Sequence, residues 1–246
     1  MKNHPLPKIA ILIFACLLFL APAQPRVSLE YGYLDKVSSY HHYIEGSIEG
    51  SGVVDKAHLQ FIRNSQLAGF GQKKYVLREW GEKYQGSQMN LSEIGLPGPS
   101  EKVEKVVDKL GRVESVFRYS EGHRYYINWL VFPDHPVPVG NSWKYSYPLR
   151  FDVFGKTVKA DCQMEYTLDK LMVYKKRRSA KIIIHGNCNA QDPTTELQYG
   201  FEGKGFFDLS QGREIDYQIN ISWAKKDSAK NFKEVARIEL YSILEK

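Results

Sequence analysis

The sequence contains no H-E-x-x-H segment, no C-x-x-C pair and no G-x-S-x-G elbow. The first two absences remove the usual zinc spacings. The third removes the signature of an α/β-hydrolase nucleophile. Histidines 41, 42, 58, 123, 135 and 185 are scattered. Only His41 and His42 adjoin, and on a strand neighbours point to opposite faces, so they do not share an ion. No metal site and no cofactor is expected. Cysteine is scarce, with three at positions 16, 162 and 188, and no acidic residue precedes Glu30.

That acid-free start has a plan. Lys2 and Lys8 precede the apolar run "IAILIFACLLFLA", and Ala21-Pro22-Ala23 supplies small residues after it. Charged, apolar and small-residue regions in this order describe a secretory signal peptide over residues 1–23, cleaved near Ala23. The run is shorter than the roughly 20 residues a membrane span requires. Lipidation at Cys16 is the lesser alternative, because "LLFL" continues beyond the cysteine. The expected location is the periplasm or the extracellular medium.

Removing two lysines and no acid takes the formal charge from +6 to +4. Nucleic-acid binding needs basic residues clustered on one face, so no nucleic acid is expected. The densest basic run, Lys175, Lys176, Arg177 and Arg178, reads as a solvated hairpin tip. A peripheral contact with anionic lipid is its sharper reading.

Residues 24–246 read as one β-rich domain with a soft division near 135. In "SWKYSYPLRFDVF", "TVKADCQMEYTL", "SAKIIIHGNC", "REIDYQINISW" and "EVARIELYSIL" apolar and polar residues alternate, the period of half-buried strands. One antiparallel register opposes Leu168 to Ile182, Tyr166 to Ile184, Met164 to Gly186 and Cys162 to Cys188. In an exported chain that predicts a disulfide, with a wide turn over residues 174–178. In the N-terminal half, "RVSLEYGYL" and "SYHHYIEGSIEG" suit strands. "DKAHLQFIRNSQLAGF" and "KKYVLREW" do not decide between strand and helix. Residues 85–100, rich in Gly and Pro, read as a surface loop. "EKVEKVVDKLGRVESVFRY" reads as a hairpin, and "HRYYINWLVF" as an apolar strand. The expected fold is all-β and mainly antiparallel, a curved sheet or half-open barrel with room for one or two helices in the N-terminal half. A spanning outer-membrane barrel is a further alternative.

The segment Pro136-Val137-Pro138-Val139-Gly140-Asn141-Ser142-Trp143 resembles a P-V-x-V-G-[DN]-x-W motif of an uncharacterised family of exported bacterial β-proteins. Asp108–Val113 and Gly203–Gly212 are similar to two hairpins that accompany it. The resemblance spans about residues 103–223 and brings no catalytic residues. At fold level it extends to the Lol-type lipoprotein carriers, which implies a curved sheet over an apolar groove.

Aromatic residues make up 13% of the chain, and Trp129, Trp143, Tyr145, Tyr147, Tyr217 and Trp223 sit on strand faces. They are candidates for an apolar ligand groove, and equally for plain core. The expected role is non-catalytic binding, either of a lipid or other apolar small molecule or of an envelope protein partner. A hydrolase with an unrecognised site is the alternative, and it would require a cleft holding acids with displaced pKa.

Overall fold

The structure is a computed structural model that describes residues 24–50, 52–87, 91–94, 96–99, 101–117, 128–191 and 194–245. The leader, Cys16 and His123 lie outside the described residues. In chain order the strands are β1 (Arg26–Val27), β2 (Ser38–Gly50), β3 (Val53–Gly71), β4 (Lys74–Gly86), β5 (Lys102–Asp108), β6 (Val113–Phe117), β7 (Val137–Pro138), β8 (Ser142–Val153), β9 (Lys156–Tyr174), β10 (Arg177–Gln191), β11 (Thr195–Asp208), β12 (Arg213–Asp227) and β13 (Phe232–Leu244). Eleven of them form one antiparallel sheet, ordered β6-β5-β4-β3-β2-β13-β12-β11-β10-β9-β8, and β1 pairs with β7. The sheet curves without closing into a barrel, and β8, at its edge, also contacts β12.

The C-terminal half follows the alternation. Leu168 opposes Ile182, Tyr166 opposes Ile184, Met164 opposes Gly186, and Cys162 opposes Cys188. The two cysteines are bonded, with their Cα atoms 4.1 Å apart. The wide turn is not observed. Lys175 and Lys176 alone make the connection, both with positive φ, the two-residue hairpin geometry whose twist suits paired strands. The register expected from the wide turn is restored by a bulge at Asp169, which has no partner opposite it.

In the N-terminal half the described residues contain no α-helix, and a single 3-10 turn, Leu91–Ile94, is the helical piece among them. "DKAHLQFIRNSQLAGF" lies in β3, and "KKYVLREW" lies in β4 from its second residue, Lys74, onward. Their period was obscured by two register shifts between these strands, at Gln60/Ile62 and Leu67/Gly69, since each bulge flips the side chains beyond it. In "RVSLEYGYL" only Arg26 and Val27 are in a strand.

Two further expectations are corrected by burial. Residues 85–100 are not a surface loop throughout, because Leu91, Ile94 and Leu96 are almost wholly buried. The described part of "HRYYINWLVF" is not a strand, yet Trp129, Leu130, Val131 and Phe132 are all buried. Both segments, with Leu29, join the core formed by the concave face: Leu59 and Phe61 of β3, Tyr166 and Leu168 of β9, Ile182 and Ile184 of β10, and Ile219 and Ile221 of β12. Each such side chain contributes about 1.5–3 kcal/mol on leaving water. A curved sheet this wide exposes more apolar area than its own strands can cover. The two irregular segments cover it.

Candidate functional site

Two hairpin turns of like design face each other across the segment Tyr31–Tyr33. In the β5–β6 turn the Asp108 carboxylate accepts from the backbone N–H of Leu110 and Arg112 at 2.9 and 3.0 Å. In the β11–β12 turn Asp208 accepts from the N–H of Ser210 and Gln211 at 2.9 and 3.1 Å. Each turn ends in a glycine with positive φ, Gly111 at 83° and Gly212 at 61°, where a side chain is strained. A Cβ on Gly111 would also stand 2.6 Å from the Tyr31 ring, and one on Gly212 would meet the Gly32 backbone. The intervening segment is tied to both turns. Tyr31 N–H donates to the Lys109 carbonyl at 2.7 Å, and Gly32 N–H to the Gly212 carbonyl at 2.8 Å. The turns therefore clamp Tyr31 over the start of β12, where Arg213 and Glu214 follow.

Beneath Tyr31 lies a group of buried charges. Arg63 of β3, Glu79 of β4, Lys105 of β5 and Glu214 of β12 are 9%, 4%, 1% and 8% exposed, so none of them is hydrated in the ordinary way. Lys105 Nζ makes an ion contact of 2.8 Å with Glu79 Oε2. Arg63 lies more loosely between the carboxylates, 4.0 Å from Glu79 and 3.9 Å from Glu214, with its guanidinium over the Tyr40 ring at 4.9 Å. Buried ions persist only when paired, and the pairing here is uneven. Arg63 Nε and Arg213 Nε are both buried without an acceptor. A cavity of about 70 Å³ adjoins them, lined by Tyr33, Tyr40, Arg63, Glu79, Arg213 and Glu214 among others. That is room for a few water molecules or one small polar group.

The two carboxylates respond in opposite directions. Burial raises the pKa of Glu79, but Lys105 and Arg63 outweigh it and hold the group below its ordinary 4.5. Burial raises Glu214 as well, and there Arg63 and the Tyr31 hydroxyl offset only part of it, so its pKa stays above 4.5. The Tyr31 hydroxyl lies 2.8 Å from Glu214 Oε1 and 3.1 Å from the Leu130 carbonyl. With Glu214 protonated, the acid can donate to Tyr31 and Tyr31 to Leu130, which leaves no donor idle.

His42, beside this group on β2, stacks on Phe61 with ring centroids 4.9 Å apart and has no partner for Nδ1. Burial, with Arg63 and His41 adding to it, holds its pKa well below 6.5. A depressed pKa contributes stability that is complete above the unfolded-state value and is lost as pH falls below it. We expect stability to be lost as pH falls from about 7 towards 5, at no more than about 1.4 kcal/mol for each unit below the unfolded-state value. Glu214, with its raised pKa, acts in the opposite sense as pH falls. The readout is therefore the difference in urea-unfolding free energy between wild type and His42→Gln across the two pH values. Parallel pH profiles for the two proteins would remove His42 as the cause.

The six aromatic candidates are dispersed along the interior. Trp143 donates its indole N–H to the Val131 carbonyl at 2.6 Å and stacks on Tyr166. Trp223 donates to Glu234 at 2.8 Å and stacks on Tyr199. Tyr145 and Tyr147 pack on each other, both half-buried. Trp129 packs on Phe201 and lies 6.4 Å from Tyr217. Trp129 alone of the six lines the cavity. At the basic tip, Lys175 pairs with Asp216 at 2.9 Å and Arg177 with Asp208 at 2.8 Å, so two of its four cations have partners within the chain. Among the described residues no group of three His, Cys, Asp or Glu side chains could hold a metal ion.

The sequence reading missed the charged group. Its signal for Lys105 was parity, since Lys105 shares the inward face of β5 with Val103 and Val107. Arg63 likewise follows Leu59 and Phe61 on β3. Glu214 gave no such signal. It turns inward because a register shift between Phe206 and Phe207 sets it opposite Phe207.

No family model matches the chain, and no curated protein is similar to it. Among solved structures it is similar to the hypothetical lipoprotein YmcC from Escherichia coli K12, at 9% identity and a TM-score of 0.31, over 96% of this chain and 98% of that one. A superposition this loose adds nothing to the fold, which rests on the strand pairing above.

Proposed function

We propose that this is an exported protein of the bacterial cell envelope that binds without catalysis, and that recognition takes place in the charged cleft beneath Tyr31. The carrying observation is that the concave apolar face is occupied by the chain's own Leu91, Ile94, Leu96 and Trp129–Phe132. A lipid carrier needs that face open. The cleft offers about 70 Å³, against at least about 300 Å³ for a drug-sized ligand, so it suits a small polar group and not an acyl chain. The leader pattern and the Cys162–Cys188 bond support export.

A hydrolase would need acids with separated pKa values, and Glu79 and Glu214 meet that condition. Both, however, are already engaged by Lys105, Arg63 or Tyr31. The space beside them admits a head group and not a scissile bond with its flanking units. A second reading, docking of an envelope protein, is favoured by an open trough of about 840 Å³ across β10–β13 and β2, lined by Glu45, Glu202 and Glu239.

Native mass spectrometry of protein purified from the periplasm without detergent tests the cleft reading. We expect a small polar adduct on the wild type that is missing from Arg213→Gln. A lipid-sized adduct, or one indifferent to Arg213, overturns it. A bare mass in both proteins overturns it too and turns attention to the trough.

A further inference from the structure

The cleft has more positive charge than it uses. Lys36, Arg63 and Arg213 line it, against Glu79 and Glu214. Lys105, packed behind, is already spent on Glu79. Arg213 makes no ion pair with any described residue, and its Nε is buried without an acceptor, as is that of Arg63. Two buried guanidinium N–H groups without acceptors beside one cavity ask for an acceptor in it, and guanidinium is the side chain best matched to planar and tetrahedral oxyanions.

We propose that the cleft binds one small oxyanion, carboxylate or phosphate-like in class, between Arg63 and Arg213. This rests on the cleft reading above and names its ligand chemistry. The cavity admits the head group alone, so the remainder of a larger molecule stays outside, past Tyr33 and the exposed Lys36.

Binding is coupled to a proton. The groups that face Glu214 are Arg63 from β3, Glu79 from β4, Lys105 from β5, Tyr31 and Tyr33 from the clamped segment, Tyr40 from β2, Tyr166 from β9 and Tyr217 from its own strand. Arg213 is its chain neighbour. An anion entering this set repels ionised Glu214 and favours its protonated form, so affinity rises as pH falls.

Isothermal titration calorimetry with sodium sulfate and, separately, sodium acetate tests this on the disulfide-bonded mature protein. Sulfate stands for the phosphate class and holds its charge over the range used, and acetate stands for the carboxylate class. We expect one-to-one binding of at least one probe, weakened about tenfold or more in Arg213→Gln, as the loss of one charge-assisted contact implies. We also expect tighter binding near about pH 5.5 than near pH 7.5, with the difference abolished in Glu214→Gln. No heat from either probe overturns the proposal, and so does equal affinity in wild type and Arg213→Gln. If Arg213→Gln fails to fold, the pH response decides, and its persistence in Glu214→Gln is the overturning result. An Arg213-dependent native adduct with no response to either probe would keep the cleft reading and reject the oxyanion.

Discussion

Replacing Lys105 by methionine is expected to destabilise the protein by about 3–5 kcal/mol, the usual result of removing one partner from a buried ion pair. The methionine itself fits, because its neighbours on the inward face of β5 are Val103 and Val107. The penalty falls on Glu79, which is 4% exposed and would keep only Arg63 at 4.0 Å. Near neutral pH it must then either take up a proton or remain charged without its close partner. Guanidinium unfolding of the variant measures the loss. The double variant Lys105→Met, Glu79→Leu should recover most of it, because exchanging a whole buried pair for apolar side chains is often neutral or better. A single-variant cost below about 1 kcal/mol would place the pair in the class of solvated bridges. A double variant less stable than Lys105→Met by the full cost of Glu79→Leu alone would mean that the two residues are not coupled.

Removing the disulfide is the second large effect. Cys162→Ala with Cys188→Ala is expected to cost about 3–4 kcal/mol, from the loop-closure entropy of a crosslink between residues 26 apart in sequence. The native pairing does not depend on the bond, since the Lys175–Lys176 turn and the ladder on either side already oppose β9 to β10. The variant should therefore fold, with an unchanged far-ultraviolet spectrum and an earlier denaturation midpoint. The bond's two sulfurs lie in the core, so mild reductant added to the folded protein should leave the wild type unaltered until it begins to unfold. A midpoint unchanged by the double substitution would show that the bond constrains nothing the unfolded chain was free to do.

The legible and illegible parts of the fold divide at the bulges. From β8 to β13 the bulges, at Asp169 and between Phe206 and Phe207, lie towards the strand ends, and over the long stretches between them the polar and apolar residues keep step, so most faces and partners and the Cys162–Cys188 bond could be read from parity. In β3 and β4 two register shifts break that step. A regular period is the signal that separates strand from helix, and there it is lost. The loop reading of residues 85–100 failed for another reason. Gly and Pro describe backbone conformation and not burial, and Leu91, Ile94 and Leu96 are buried from irregular backbone.

The site shows the same division more sharply. Arg63 and Lys105 occupied inward positions by parity, although nothing local showed that their carboxylate partners would come from β4 and β12. The pattern of "GREIDYQINISW" puts Ile215, Tyr217, Ile219, Ile221 and Trp223 on the dry side and, by the same count, Glu214 on the wet side. The structure buries Glu214 with them. What the sequence by itself determined was the class of fold, the order of the C-terminal hairpins and the disulfide, because alternation and register act between residues that are close along the chain or mirrored about a turn. What only the tertiary structure decided was that the apolar face is filled and that four charges meet beneath Tyr31. Both depend on distant segments arriving at one place, and a single extra residue in a strand changes which side chains face it.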